Sequence, residues 1–176
     1  MENLKKQIQT VVNIYKSGDL SKAESITKKL IKENPKVEFL YNLLGLIFVG
    51  QAKIQEAIES YDKAIKINPN FAMPYNNLGL IYSNVSKFDY KKAEDYYKKS
   101  ISLDSKIAEP VNNLGSLYNS HNKFNEAIDC YKKAILINPK FYAPHHNIGN
   151  VYLAIGDFKN AKKHFEESIK LNPRFL

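Results

Sequence analysis

A chain of 176 residues that is 44% hydrophobic and 12% aromatic is too apolar for intrinsic disorder, and it is long enough for one ordinary domain. Its formal charge of +8 is divided evenly between residues 1–37 and the rest. Many lysines also follow an acid by four positions (Glu59 and Lys63, Asp62 and Lys66, Glu94 and Lys98, Asp95 and Lys99, Asp129 and Lys133), which favours solvated helix faces over a nucleic-acid surface. The single cysteine, Cys130, excludes an intrachain disulfide; no apolar run approaches the roughly 18 residues of a membrane span, and MENLKKQIQT lacks the features of a signal peptide, so a cytoplasmic protein with no membrane association is predicted.

Taken in chain order, the hydrophobic period predicts helices over 2–17, 19–33, 37–50, 53–67, 72–86, 89–103, 108–121, 124–137, 142–155 and 158–171. SGDLSKA at 17–23 and IGDFKNA at 155–161 supply Asp19 and Asp157 as N-caps, and Pro74, Pro110 and Pro144 mark first turns, where a missing N–H has no intrahelical partner. The elements repeat. Gly45, Gly79, Gly115 and Gly149 recur at steps of 34, 36 and 34, and Ala23, Ala57, Ala93, Ala127 and Ala161 keep the same register. Pro35, Pro69, Pro139 and Pro173 close four of the five units, with Asp104-Ser105 replacing Asn-Pro in the other. Small residues in the second helix of each unit allow close helix approach, and the aromatic beside them (Tyr61, Tyr97, Tyr131) reads as core filler rather than a base-stacking platform.

The series Tyr41, Leu44-Gly45, Phe48, Ala57, Tyr61, Ala64, Pro69, repeated as Val111, Leu114-Gly115, Tyr118, Ala127, Tyr131, Ala134, Pro139, resembles the tetratricopeptide repeat (TPR), a 34-residue helix–turn–helix unit. The resemblance covers essentially the whole chain and implies an all-α fold, a right-handed α-solenoid of five units at about 4–37, 38–71, 72–107, 108–141 and 142–175 in one array. The first unit is degenerate, with Val11 where later units have glycine. The third carries two extra residues in the turn between Asn84 and Phe88.

The same resemblance implies a concave groove lined by the first helix of each unit. Its candidate peptide-binding residues are Phe39, Asn42, Leu46, Met73, Asn76, Asn77, Leu80, Asn112, Asn113, Ser116, Asn119, His146, Asn147 and Asn150, apolar in the N-terminal half and amide-rich in the C-terminal half. Carboxamides can pair with the backbone of an extended peptide independently of its side chains. Asn77, Asn113 and Asn147, each two residues before the repeat glycine, resemble the asparagine ladder in the repeat domain of O-linked N-acetylglucosamine transferases. Equally, they could bond between neighbouring helices, and the sequence leaves both roles open. Asn76, Asn112 and Asn150 are expected to be exposed. The aligned groove positions hold no basic residue, which argues against a carboxylate-clamp ligand.

Candidate chemistry is sparse. His145 and His146 are adjacent on a helix and diverge by about 100°, His121 lies in a turn and His164 on a second helix, so no metal site is predicted. Cys130 occupies the position of Ser60, Tyr96 and His164 and reads as packing rather than a nucleophile. With no phosphate-cradling loop either, the sequence predicts no enzyme and no cofactor, but a non-catalytic scaffold whose partner is a protein or extended peptide. Two alternatives stand behind it: a substrate-presenting module of a larger glycosyltransferase or sulfotransferase, and nucleic-acid binding through the basic first unit. The array stops at NPRFL without a polar capping helix, so Ile148, Val151, Tyr152, Phe165 and Ile169 are expected to lack part of their cover and to offer a face for self-association.

Overall fold

The computed structural model describes residues 2–84 and 89–173. These form ten helices and no strand: α1 (Glu2–Lys16), α2 (Leu20–Glu33), α3 (Glu38–Gly50), α4 (Ile54–Ile67), α5 (Ala72–Asn84), α6 (Tyr90–Leu103), α7 (Ala108–Asn119), α8 (Phe124–Ile137), α9 (Tyr142–Ala154) and α10 (Phe158–Leu171). Helices neighbouring in sequence pack as pairs: α3 on α4, α7 on α8, α9 on α10. The two-residue insertion expected between Asn84 and Phe88 lies outside the described residues, as does the expected end of α5 at 86. The seventh helix ends at Asn119, two residues before the expected 121, and Asn122 at φ 57 turns the chain toward α8.

Helix starts follow a common device. Asp19, Asp89 and Asp157 each accept a hydrogen bond from the backbone N–H three residues on (3.0, 3.0 and 3.1 Å), the N-cap chemistry expected at Asp19 and Asp157 and also present at Asp89. Gly18 and Gly156 precede two of these caps at φ 87 and 81, and Ala52 holds the equivalent turn before α4 at φ 60. Ala52 has a Cβ in that strained region, so Ala52→Gly is expected to stabilise the chain by about 1 kcal/mol, read as a higher urea midpoint.

The chain divides into two compact units, Met1–Ile81 and Tyr82–Leu176. In the first, Val11, Ala23, Leu30, Leu40, Leu43 and Ile47 form the core. The degenerate repeat is internally consistent: Thr27 stands where later repeats place an aromatic, and Val11 where they place glycine, and both are fully buried. A larger residue on the first helix thus fills the space of the missing ring. In the second unit, Tyr97 and Tyr131 are each 1% exposed and hydrogen-bond to Ser83 (3.1 Å) and Ser116 (3.3 Å). Burial pushes each phenol up to about 12. With Tyr61, also fully buried, these three rings are core filler as read from the sequence.

Charge and aromatic groups fasten successive repeats. Glu24 on α2 binds Lys28 (2.6 Å) and Lys53 (3.1 Å), and both ammonium groups sit over the Phe48 ring. Hydrogen bonds from Lys28, Gln51 and Lys53 outweigh desolvation and hold the Glu24 carboxyl down at about 2. The arrangement recurs in the second unit. Glu94 accepts from Lys98 (2.7 Å) and from the Tyr118 hydroxyl (2.9 Å), while Lys123 lies over Tyr118. The expectation of missing cover at the last repeat holds in part: Tyr152 and Phe165 are half-buried and Ile169 is 39% exposed, whereas Ile148 and Val151 are fully buried beside Tyr131.

Candidate peptide-binding surface

The repeat pattern places one residue of every four or so along a first helix on the face turned away from its hairpin partner. In the first compact unit those positions are apolar. Val49, Met73 and Leu80 are 40, 41 and 38% exposed, Leu46 is half-buried three residues before Val49, and Phe39 packs its ring on Phe71. Asn76 and Asn77 are half-buried. In the second unit the equivalent row is mostly polar: Ser116 and Asn150 are exposed, and Asn113, Asn119, His146 and Asn147 are half-buried, but Leu153, in the register of Val49, is 49% exposed. His146 also leans on Phe165 of α10, ring centroids 5.5 Å apart.

The asparagines sort differently from the expectation. Asn77 Nδ2 donates to Asn42 Oδ1 at 2.9 Å, and Asn147 Nδ2 donates to Asn112 Oδ1 at 3.0 Å. Each bond joins neighbouring first helices across one repeat. Asn42 is 1% and Asn112 7% exposed, so Asn112 departs from the exposure expected of it, and neither side chain reaches open surface. The physical reason is that the residue three before the repeat glycine turns toward the next first helix, where its carbonyl receives the following repeat's amide. Asn42 Nδ2 is buried with no hydrogen-bond partner, so Asn77 supplies the amide's satisfaction through Oδ1 alone.

This surface, the glycine–aromatic packing behind it and the Asx turns that end α4, α6 and α8 all repeat. Asn68, Asp104 and Asn138 side chains each accept from the backbone N–H two residues on, so Asp104 replaces Asn without loss of the turn. Family models described as TPR repeat and tetratricopeptide repeat match residues 45–86, 74–107, 115–156 and 143–175. The chain belongs to the tetratricopeptide repeat family. No curated protein matches the sequence. Among solved structures, the chain is similar to MamA at 26% identity, with 92% of this chain and 94% of that one covered and a TM-score of 0.73. It shares its fold with TTC0263, a thermophilic TPR protein in Thermus thermophilus (15% identity, 98 and 93% covered, TM-score 0.83). The same holds for PilW, a type IV pilus biogenesis factor (17% identity, 100 and 80% covered, TM-score 0.86). The fold is therefore an all-α TPR solenoid, a scaffold for protein–protein interaction.

Two TPR positions carry residues that sequence spacing did not connect. His145 on α9 and His164 on α10 bring their Nδ1 atoms to 3.4 Å, with Tyr152 stacked on His164. His145 adjoins His146 in sequence, whereas the hairpin pairs its ring with a residue 19 positions on. Burial lowers the basicity of both imidazoles; at His164 the neighbouring His145, Lys163 and Lys132 lower it further, while at His145 Glu167 opposes the effect. The folded form holds these imidazoles neutral, so the unfolded chain binds more protons below about pH 6.5 and stability falls as pH drops through that region. His164→Phe, which keeps the ring and removes the proton site, is expected to flatten the change in urea midpoint between about pH 7 and 5. An unchanged slope would assign it to other groups.

Among the described residues no group of three or more His, Cys, Asp or Glu side chains could hold a metal ion. Cys130 is buried, and burial pushes its thiol up, away from nucleophilic use. No described helix is long and apolar enough to cross a membrane.

Proposed function

We propose that this chain is a non-catalytic scaffold of the cytoplasm that binds an extended segment of a partner protein along the surface of its first helices. The observation that carries the reading is the exposed apolar side chains Val49, Met73 and Leu80 on the first helices α3 and α5. Exposed large apolar side chains arranged along one face favour an apolar partner. In the second unit the exposed Asn150 offers hydrogen bonds suited to a peptide main chain, beside the exposed apolar Leu153.

Asn77 and Asn147 are given to neighbouring helices, so a ladder of the glycosyltransferase kind would use the amide atoms those bonds leave over. The experiment is a peptide array probed with the wild-type chain and with the double variant Met73→Asp, Leu80→Asp. Both substituted side chains are exposed, so helicity should be unchanged. Retention of every wild-type spot by the double variant would remove this row from the site. A signal that instead appears on single-stranded nucleic acid and falls steeply between about 50 and 200 mM salt would favour the basic-surface alternative.

A further inference from the structure

The junction of the third and fourth repeats departs from the other repeats at four positions that the fold gathers in one place. Val111 stands where other first helices have Tyr41, Tyr75 and His145; Ser105 stands where other repeats close on Pro35, Pro69 and Pro139. Cys130 takes the position of Ser60, Tyr96 and His164, and Leu136 the position of Lys66, Ser102 and Lys170. In each of the other glycine-bearing repeats at least one of the two ring positions is filled, by Tyr41 beside Ser60 in the second. The Tyr41 hydroxyl donates to the Pro35 carbonyl at 3.2 Å, and Tyr75 to Pro69 at 3.1 Å. The Tyr96 ring stacks on Tyr82, and the His145 and His164 rings lie 5.6 Å apart. Among the repeats that carry the glycine, the fourth alone has a ring at neither position.

The missing rings leave a cavity of about 530 Å³ against α6, α7 and α8, with walls formed by Ile101, Val111, Leu114, Cys130 and Leu136. Its volume falls within the range of small-molecule pockets, about 300–1,000 Å³, and its lining is almost wholly apolar. Leu136 is 81% exposed at a position where the other repeats carry Lys or Ser, so it extends an apolar wall where they present a solvated one. Lys98 and Lys133 belong to the lining and no acidic residue does. Lys98 is already matched by Glu94 at 2.7 Å, so Lys133 is the cation available to a ligand's charge.

We propose that this cavity is a binding site for a medium-chain carboxylic acid, with the aliphatic tail against Val111, Leu114, Cys130 and Leu136 and the carboxylate at Lys133. The site is separate from the first-helix surface, and occupancy of the one does not require the other. A tail supplies the apolar contacts that Tyr and His rings supply in the other repeats, and a single anionic head matches the charge of the lining. Binding is non-covalent, since a carboxylate offers no electrophile to the Cys130 thiol.

The test is calorimetric titration of decanoate, below its micellar concentration, into the whole chain. One-to-one saturable binding is expected. Cys130→Tyr restores the residue of the preceding repeat and fills the cavity. It should weaken binding at least about tenfold, equivalent to about two buried methylenes. Val111→Tyr is the second filling variant, should one of the two fail to keep the wild-type circular dichroism melt. Lys133→Gln, at an exposed side chain, should weaken decanoate binding about threefold, as expected of a surface ion pair. Decyltrimethylammonium, with the same tail and opposite charge, should bind more weakly than decanoate. The proposal is overturned if decanoate does not saturate, if folded filling variants bind it unchanged, or if the two amphiphiles bind equally. The first of these outcomes would leave the cavity to an apolar side chain of a protein partner.

Discussion

Gly45→Ala is expected to destabilise the chain by about 1–2 kcal/mol, although alanine is the better helix former by about 1 kcal/mol. A Cβ at Gly45 would land on the ring of Tyr61, which is fully buried and cannot retreat without disturbing the second repeat. The effect should be graded along the chain. At Gly149 the added carbon would sit 2.6 Å from the Phe165 ring, which is only half-buried and can give way at lower cost. Urea midpoints of the two alanine variants should therefore fall in the order Gly45→Ala lower than Gly149→Ala. Equal or raised midpoints would mean that close ring approach is not what selects glycine at these positions.

The second large effect concerns the amides. Asn77→Ala removes the donor to Asn42 Oδ1 and leaves a side chain 1% exposed with neither end bonded, since Asn42 Nδ2 already has no partner. Orphaning a buried amide costs about 1–3 kcal/mol, whereas replacing both partners by apolar groups is often close to neutral. Asn77→Ala is thus expected to lower stability by about 2 kcal/mol, and the double variant Asn42→Leu, Asn77→Ala to recover most of that loss. A single variant as stable as wild type would show that the pair does not carry inter-helix energy and would return Asn77 to a purely ligand-facing role. The outcome matters for binding experiments, because loss of binding in Asn77→Ala or Asn147→Ala would otherwise confuse unfolding with loss of contact.

Periodic features were legible from the sequence because each has a local physical cause. The recurring Gly, Ala and Pro positions reflect close helix approach and chain stops, and Asp19 and Asp157 cap helices through the N–H three residues on. The helix bounds accordingly agree within about two residues wherever they are described. Features joined across repeats were harder to read. Asn77 meets Asn42 35 residues back, and Asn147 meets Asn112 by the same step, a distance set by how first helices stack rather than by any local pattern. His145 was read beside His146 because helix geometry separates neighbours, yet its ring partner comes from the returning helix. The Glu24 cluster was missed for a related reason. Lys28 is visible at i+4, but Lys53, 29 residues on, joins only once α2 and α3 pack. Cys130 was read as unreactive, in keeping with its burial; that its small size, with Val111, opens a cavity follows only from seeing both side chains on one wall.

The exposed side chains Val49, Met73, Leu80 and Asn150 are better reporters of partner binding than Asn77 and Asn147, which bond to neighbouring helices. The most direct test is a titration of a peptide selected on the array into isotopically labelled protein, followed by chemical-shift mapping. The shifts are predicted to concentrate on α3, α5, α7 and α9, with the largest changes near Met73, Leu80 and Asn150. Shifts concentrated instead on α4, α8 and α10, with those first-helix signals unmoved, would contradict recognition by the first-helix surface.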